Sequence, residues 1–446
     1  MDNPLTIAEF TDNYGPAASG LLYAVQFLEG QALKAGHRVL LVAPECDGPN
    51  PYADEKRRRE IRLPSMNIPG MHVRLALGQD FDYRLAQITA NPPDVIHVHG
   101  LGPIGLLGMW AAQRTGKPLL LTWHTDFEAY ADHYWHLAPL LNAAYKVLEE
   151  HVNKTWSSVR HTVTTRPKRG RAQVELLQVA AQMLTDADLV TTPSDKTGKR
   201  VLEIAPEARV RVLPNGVEPI PDAPPIPKAP GPRLLYVGRI SAEKGIDLLL
   251  DAFALIRDRI PDAELMIVGD WKQAPVGLRT RLARDSRFGH VKLPGLIPRE
   301  ELGAYYESAD VFVFPSITDT QALVLHEAAH AGLPLVMCDS ELRLVADPGV
   351  NALFARPNAV SLSQTIMRML HALQDPDFKS RAQARSRELA GQYTVEKQSA
   401  EVIGLYEDLA AGRPIALTPN LNPDLGRQPF PGRKVTAHYE PPTRED

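Results

Sequence analysis

Residues Phe314–Val336 read FPSITDTQALVLHEAAHAGLPLV, and this stretch holds the end of one strand, a loop, a helix and the start of another strand. The apolar run Val311–Phe314 ends at Pro315, and Leu323–Ala331 carries the apolar spacing of a helix. A second apolar run, Leu335–Cys338, follows at once. Because parallel strands need a crossover helix between them, the stretch predicts a βαβ unit in a parallel sheet.

The same alternation of short apolar runs and helical segments extends along most of the chain. Leu21–Ala35 illustrates the helical segments, since its apolar residues recur at helical spacing and Gly36 follows as a stop signal. The other predicted strands are Leu5–Phe10, Val39–Ala43, Val95–His99, Leu119–Trp123, Leu189–Thr192, Leu234–Val237, Glu264–Val268 and Val291–Leu293. The pattern indicates the α/β class, with parallel sheets.

A proline-dense segment, Pro214–Pro232, interrupts the alternation before it begins again. At 446 residues the chain is long enough for two domains that each bury a core. We predict an N-terminal domain at 1–216, a linker at 217–232 and a C-terminal domain at 233–390. A basic insertion at about 153–173 interrupts the first domain, and the tail after Ala411 is expected to be flexible because it lacks apolar periodicity.

Composition limits the classes of function. The formal net charge of -4 gives no overall attraction to nucleic acid, so we expect no nucleic-acid partner. Cys46 and Cys338 are the only cysteines, which supports neither a disulfide framework nor a zinc site. No apolar run is long enough to cross a bilayer, and the N-terminus lacks the features of a signal peptide. A cytoplasmic location is therefore expected.

The loop and helix of the first stretch carry candidate ligand-binding groups. Unpaired backbone N–H groups at a helix start attract anions, and the residues placed to offer them are Thr320, Gln321, Ala322 and Leu323. Asp319, in the loop, can bind sugar hydroxyls, and Glu327, inside the helix, can accept hydrogen bonds from a ribose diol. The alternative for Asp319 is a helix cap without a ligand.

Two cations follow another predicted strand. Leu234–Val237 leads to Gly238 and Arg239, and Lys244 comes shortly before a helix that begins near Gly245. Cations at the carboxyl end of a strand can stabilise the charge that develops on a departing diphosphate. Alternatively, both are solvated side chains of a surface loop.

The first half offers weaker signals. Gly20 closes the loop between the opening strand and its helix, where a glycine lets backbone approach a ligand. His124 lies just past a predicted strand, where α/β sheets present side chains to ligands, and its imidazole can bond a sugar hydroxyl. We interpret His97 and His99 as structural histidines.

Taken together, these residues resemble the retaining glycosyltransferases of family 4, whose GT-B fold has two Rossmann-like domains. The resemblance extends over about residues 5–410. It depends on the order of motifs along the chain: HTDFEAY at 124–130, PNGVE at 214–218, VGRISAEKG at 237–245, the acidic pair Asp319 and Glu327, and AGLPLV at 331–336.

The resemblance implies a role for each matching position. It makes Arg239 and Lys244 the diphosphate clamp, Glu327 the ribose ligand and Asp319 a contact to the donor sugar. It places His124 near the transferred sugar and the backbone of Gly20 beside the phosphates. The family usually has glutamate at position 319 and glycine at position 322, where this chain has Asp and Ala. It also implies a crossover helix at about 391–412.

The family transfers sugar with retention, through a front-face step in which the departing diphosphate helps to take the acceptor proton. The protein then supplies positioning and charge stabilisation. The resemblance thus implies that neither a metal ion nor another cofactor is needed.

Within the family, the chain most resembles bacterial enzymes that glycosylate membrane glycerolipids. This similarity favours UDP-glucose, or else GDP-mannose, as the donor and a lipid as the acceptor. Candidate contacts with an anionic inner leaflet are the basic runs Lys56–Arg59 and Lys154–Arg171. A soluble cyclitol, secondary metabolite or saccharide is the alternative acceptor. A sugar-nucleotide epimerase, a phosphorylase and a non-catalytic protein of the same fold are alternatives of other classes.

Overall fold

The computed structural model of the protein divides the chain into two compact units. Unit 1 comprises Met1–Leu213 and Ser399–Asp446, and unit 2 comprises Pro214–Gln398. The structure describes residues 4–14, 20–45, 51–67, 74–76, 80–124, 171–271, 274–285, 288–419 and 421.

Unit 1 alternates strands and helices. Its strands are β1 (Thr6–Phe10), β2 (Arg38–Pro44), β3 (Arg58–Leu63), β4 (Ser65–Asn67), β5 (Arg74–Ala76), β6 (Val95–Val98), β7 (Leu119–Thr122), β8 (Leu189–Thr192) and β9 (Val210–Val212). Its helices are α1 (Gly20–Lys34), α2 (Phe81–Ala90), α3 (Pro103–Thr115), α4 (Arg171–Asp186) and α5 (Asp195–Ile204).

The main sheet of unit 1 has the order β3-β2-β1-β6-β7-β8-β9, and β4 and β5 form a separate antiparallel pair. All neighbouring strands of the main sheet are parallel. The chain reverses its direction of strand addition between β1 and β6. In sheets of this kind ligands bind beyond the carboxyl ends of the strands at such a switch point.

Unit 2 repeats the arrangement. Its strands are β10 (Arg233–Val237), β11 (Glu264–Val268), β12 (Val291–Gly295), β13 (Val311–Phe314), β14 (Leu335–Met337) and β15 (Ala352–Phe354). Its helices are α6 (Ile246–Arg257), α7 (Val276–Arg284), α8 (Leu302–Ser308), α9 (Leu323–His330), α10 (Ala359–Ala372) and α11 (Pro376–Ala390). The parallel sheet has the order β12-β11-β10-β13-β14-β15, with its switch point between β10 and β13.

Buried strands explain why both sheets form. Every residue of β10, β11 and β13 is buried, and helices cover a fully parallel sheet on both faces. The short, continuously apolar runs found in the sequence are strands of this kind. The prediction of two Rossmann-like α/β domains is therefore confirmed.

A last helix, α12 (Val395–Ala410), contains the boundary between Gln398 and Ser399 at which the chain returns to unit 1. Its later turns bury Val402, Leu405 and Tyr406 in an apolar cluster of unit 1. Among the residues that the structure describes, no helix is long and apolar enough to cross a membrane.

The expectation of a flexible tail after Ala411 is wrong for residues 413–419. Ile415 and Leu417 are buried in unit 1. Thr418 accepts a hydrogen bond from the backbone N–H of Val212 at 2.7 Å, and its own N–H donates to the carbonyl of Val210 at 3.2 Å. The segment thus adds to the exposed edge of β9. Residue 420 and residues 422–446 lie outside the described residues.

Candidate active site

The switch point of unit 2 brings Lys244 and Asp319 together. The chain leaves β10 toward Lys244 and leaves β13 toward Asp319, and these two strands are neighbours in the sheet. The Lys244 Nζ lies 2.5 Å from Asp319 Oδ1, and Ser316 Oγ donates to Asp319 Oδ2 at 2.5 Å. The sequence predicted both charged residues, and the structure places them in one ion pair.

Asp319 is ionised at neutral pH. Burial by itself would raise the pKa of its carboxyl group, but the charge and hydrogen bond of Lys244, the Ser316 hydroxyl and the charge of Arg239 outweigh burial and lower the pKa below its usual value. The pair therefore places a fixed negative and a fixed positive charge side by side at the end of the sheet.

Arg239 is more accessible than Lys244. Its side chain is 43% exposed, and its Nη2 lies 3.3 Å from Glu243 Oε1. Glu243 is held in turn by the Ser241 hydroxyl at 2.6 Å. Both cations thus have an acid partner in the structure: Glu243 for Arg239 and Asp319 for Lys244. Glu243 is only 15% exposed, so Arg239 is the accessible member of the pair, and it can exchange this partner for a ligand.

Two glycines shape the loop that carries these cations. Gly238 has φ 152° and Gly245 has φ 71°, conformations that side-chain-bearing residues rarely adopt. A Cβ atom on Gly245 would also lie 3.1 Å from the carbonyl oxygen of Pro315. Glycine at position 245 therefore allows the start of α6 to approach the end of β13, where Asp319 follows.

Ala322 adopts a backbone conformation suited to glycine. Its φ of 60° and ψ of 77° are left-handed, and among the described residues it is the one non-glycine residue with positive φ. This conformation costs an L-residue about 1–2 kcal/mol. Glycine, which the resemblance leads us to expect at this position, would adopt it without that cost. Ala322 immediately precedes Leu323, the first residue of α9.

The side chain of Gln321 does not face a ligand. It is buried, its Oε1 accepts from the backbone N–H and the side-chain Nδ2 of Asn215, each at 2.8 Å, and its Nε2 donates to the Asn215 carbonyl at 2.9 Å. The Gln321 side chain is therefore engaged within the protein, and the group that position 321 still offers to a nucleotide sugar is its backbone N–H. The side chain fixes the loop before α9 to the first residues of unit 2.

Glu327 lies in α9 and is engaged by two donors. Arg299 Nη1 donates to its Oε1 at 2.6 Å, and the Tyr306 hydroxyl donates to its Oε2 at 2.9 Å. Arg299 also donates to the carbonyl of Glu218 at 2.6 Å. The sequence interpretation missed Arg299, although a cation shortly after the end of β12 is the signal that selected Arg239.

In unit 1, the switch point gathers three histidines. His99 Nδ1 lies 3.2 Å from His124 Nε2, and the rings of His97 and His99 have centroids 3.8 Å apart. His97 bonds the Tyr406 hydroxyl through Nδ1 at 2.7 Å and Thr122 Oγ1 through Nε2 at 2.6 Å. His97 therefore has a structural role, whereas His99 directly contacts the predicted site residue His124.

All three imidazoles are neutral at pH 7. Burial lowers the pKa of His124 to about 4, and burial together with the neighbouring rings lowers the pKa of His97 and His99 well below the usual value. Gly20, the other predicted residue in this unit, is the first residue of α1, and the loop before it, residues 15–19, lies outside the described part of the chain.

Glu9, His97 and His99 are, among the described residues, the one cluster with metal-ligand chemistry, since one ligand atom from each lies within 4.8 Å of the others. However, both ring nitrogens of His97 are occupied by Tyr406 and Thr122. The cluster therefore offers fewer free donors than a zinc or iron site needs.

The basic run Lys56–Arg59 is only partly a surface. The Arg58 side chain is 3% exposed, forms a short ion pair with the buried Glu29 and lies 2.8 Å from Glu60. The expectation that Arg58 faces a membrane is therefore wrong, while Lys56, Arg57 and Arg59 are exposed. The second run, Lys154–Arg171, lies outside the described residues up to position 170.

Comparison with known proteins gives two matches to family models. Residues 23–219 match the model described as glycosyltransferase family 4, and residues 231–372 match the model described as glycosyl transferases group 1. The two matches together include β2 to β15 and, in unit 1, His124, while Gly20 lies just before the first matched range. In unit 2 they include Arg239, Lys244, Asp319 and Glu327.

Curated relatives and solved structures agree with these matches. The chain is 26% identical to an alpha-monoglucosyldiacylglycerol synthase of Acholeplasma laidlawii, over 91% of this chain and 97% of that protein. It is also 26% identical to a GDP-mannose-dependent alpha-mannosyltransferase of Mycolicibacterium smegmatis, over 75% of this chain and 80% of that protein. The sucrose-phosphate synthase structure from Thermosynechococcus elongatus superposes with a TM-score of 0.66 at 22% identity, over 91% of this chain and 99% of that one.

Proposed function

Because the chain belongs to the family 4, group 1 glycosyltransferases of GT-B fold, we propose that it transfers glucose from UDP-glucose, with retention, to a hydroxyl group of a membrane glycerolipid. As a member of this family it is an enzyme that takes sugar from a nucleotide-sugar donor. The sugar, the base and the acceptor are the proposal.

The observation that carries the donor site is the charge arrangement at the switch point of unit 2. Lys244 is held by the ionised Asp319, and the accessible Arg239 lies on the same loop. A nucleotide sugar combines a diphosphate with a hydroxyl-rich ring. Lys244 and Arg239 suit the diphosphate, and Asp319 suits a sugar hydroxyl, so one cluster serves both parts of the donor.

The charge on the diphosphate increases as the glycosidic bond breaks. Two cations on one loop stabilise this charge with little reorganisation of solvent. The backbone N–H groups at the start of α9 add partial positive charge. We assign this role to Arg239, Lys244 and the stretch Thr320–Leu323, and none of these groups requires a bound metal ion.

The ribose and sugar contacts follow from the neighbouring residues. Glu327 receives one hydrogen bond on each oxygen, from Arg299 and from Tyr306, so each oxygen keeps a lone pair for a ribose hydroxyl. His124 serves the transferred sugar, and the backbone of Gly20 serves the phosphates. The ionised partner Arg299 keeps Glu327 in the orientation that accepts the diol.

The choice of donor and acceptor rests on the relatives. The Acholeplasma laidlawii relative is named for glucose and diacylglycerol and aligns along nearly the whole chain. The Mycolicibacterium smegmatis relative is named for GDP-mannose, which makes this nucleotide sugar the second candidate. The exposed Lys56, Arg57 and Arg59 are candidates for contact with anionic lipid on the cytoplasmic leaflet.

The experiment is a matrix of donors and acceptors. The protein is incubated with radiolabelled UDP-glucose or GDP-mannose and with diacylglycerol in phosphatidylglycerol vesicles, neutral vesicles, or soluble cyclitols and saccharides. We expect label from UDP-glucose in the lipid fraction, more with anionic vesicles, and an α-linkage by NMR. Label in a soluble product alone would replace the lipid acceptor, and label from GDP-mannose alone would replace the donor.

A further inference from the structure

A row of polar side chains, formed by the buried Glu9, His97 and His99 and by His124, lies at the carboxyl ends of β1, β6 and β7 in unit 1. Glu9 faces His97 in the register of these two strands. His99 follows His97 by two positions, so that both side chains point to the same face of the sheet. His99 in turn contacts His124 at 3.2 Å.

Three polar atoms of this row lack hydrogen-bond partners among the described residues: both carboxyl oxygens of Glu9 and the Nε2 atom of His99. Glu9 is 0% exposed and His99 is 1% exposed. One oxygen of Glu9 and one ring nitrogen of His99 lie within 4.8 Å of each other. A buried polar group without a partner costs about 1–3 kcal/mol, so two such groups side by side indicate an interaction between them.

The contact between His99 and His124 couples the tautomers of the two rings. A neutral imidazole carries one N–H group and one bare nitrogen. Because His99 Nδ1 faces His124 Nε2, one of these atoms donates and the other accepts. The group that pairs with His99 Nε2 therefore sets whether His99 Nδ1 donates to His124 Nε2, and with it which nitrogen of the neutral His124 ring carries the hydrogen in this contact.

We propose that Glu9 and His99 are positioning residues that fix the tautomer of His124. The neutral Glu9 carboxyl group donates its O–H to His99 Nε2, His99 Nδ1–H donates to His124 Nε2, and His124 keeps its own hydrogen on Nδ1. A small rotation of the Glu9 side chain, or one bridging water, closes the distance between Glu9 and His99.

The protonated state of Glu9 follows from its surroundings. Burial and the negative charge of Glu29 raise the pKa of Glu9 well above its usual value, and the opposing effect of the Arg58 charge is smaller. A buried carboxylic acid that stays neutral acts as a hydrogen-bond donor. His97 does not compete for this hydrogen, since both of its nitrogens are bonded elsewhere.

The consequence for catalysis rests on the proposed contact of His124 with the transferred sugar. With its hydrogen on Nδ1, His124 donates to a hydroxyl oxygen of the sugar and does not act as a base. A His124 ring in the other tautomer presents a lone pair where a hydrogen-bond donor is needed. Loss of a positioning residue therefore changes the tautomer of His124, whereas loss of a residue with only a structural role does not.

The test uses the full chain labelled with ¹⁵N-histidine, and long-range ¹H–¹⁵N NMR reports which nitrogen of each ring is protonated. The His124→Gln variant identifies the signals of His124. We expect protonated Nδ1 in the wild type and in His99→Asn, whose amide keeps a donor toward His124. We expect mixed tautomers in His99→Leu and Glu9→Leu, and restoration by Glu9→Gln, whose amide N–H replaces the carboxyl proton.

Kinetics adds a second readout. In folded His99→Leu, kcat falls about 10-fold or more while KM for the donor changes about twofold or less, and His99→Asn recovers most of the loss. The proposal is overturned if Nδ1 of His124 carries no hydrogen in the wild type, or if the hydrogen of His124 lies on Nε2 in Glu9→Gln. His124→Gln separates the two claims. If this variant keeps full activity while the wild type and the Glu9 and His99 variants show the expected tautomers, the proposed contact of His124 with the sugar fails and the positioning of His124 by Glu9 and His99 stands.

Discussion

At the scale of single residues, the sequence identified charged groups better than their partners. Asp319 and Lys244 were predicted separately from their positions after strands, and the fold joins them in one ion pair. Arg58 was predicted as a membrane contact because it stands in a basic run, yet it is buried against Glu29. That pairing joins a residue of β3 to a residue of α1, which are 29 positions apart and which local sequence does not connect.

Arg239, one of the two cations assigned to the diphosphate, gives the first residue-scale prediction. Arg239→Ala should lower kcat about 30- to 1000-fold, because a charged contact to the diphosphate contributes about 2–4 kcal/mol in the transition state. The free energy of unfolding of this variant should change little, since the Arg239 side chain is 43% exposed. Steady-state kinetics and urea unfolding measure the two effects.

Lys244 needs a different control because its removal leaves the buried Asp319 without its cation. We expect Lys244→Ala to lose both turnover and stability, and Lys244→Ala with Asp319→Asn to regain stability without turnover. The surface variant Arg385→Ala serves as the matched charge control. Wild-type turnover in Arg239→Ala would refute the clamp.

Ala322 gives the second residue-scale prediction. Ala322→Gly should raise the free energy of unfolding by about 1 kcal/mol, because glycine adopts φ 60° without the cost that alanine bears. Ala384→Gly, at an exposed position inside α11, should have the opposite sign and lower it by about 1 kcal/mol. Urea denaturation distinguishes them, and a destabilised Ala322→Gly would contradict the strain at this position.

At the scale of elements, apolar runs predicted the strands well, because the strands of parallel sheets are buried on both faces and are continuously apolar. The segment after α12 escaped prediction for the converse reason. Ile415 and Leu417 stand in a short apolar stretch between Pro414 and Thr418, too short to show periodicity, and their burial depends on long-range contact within unit 1. Periodicity cannot detect a short irregular segment held by two side chains and one threonine.

This segment gives the element-scale prediction. Ile415→Ala and Leu417→Ala should each lower the free energy of unfolding by about 2–3 kcal/mol, because each removes a buried aliphatic side chain. Val360→Ala, at an exposed site of α10, should change it by less than about 0.5 kcal/mol. Equal effects in all three variants, measured by urea unfolding, would show that residues 413–419 do not stabilise unit 1.

At the scale of the whole molecule, two α/β units, each with a switch point, provide two separate sets of polar groups. Unit 2 carries the cations and carboxylates that suit a nucleotide sugar, and unit 1 carries the histidine row. The order of motifs along the chain was enough to predict this architecture. The connections of Glu9 to His99 and of Arg299 to Glu327 were not predicted, since each joins residues that are far apart in sequence.

The most direct measurement of the central claim is calorimetric titration of the protein with UDP-glucose, and then with GDP-mannose, in excess EDTA. The account predicts saturable binding of one of these donors without a divalent cation, because Arg239, Lys244 and the start of α9 hold the diphosphate. It also predicts at least about 10-fold weaker binding to Arg239→Ala and unchanged binding to Arg385→Ala. Binding that appears only when magnesium or manganese is restored, or that is equally strong in Arg239→Ala, would contradict it.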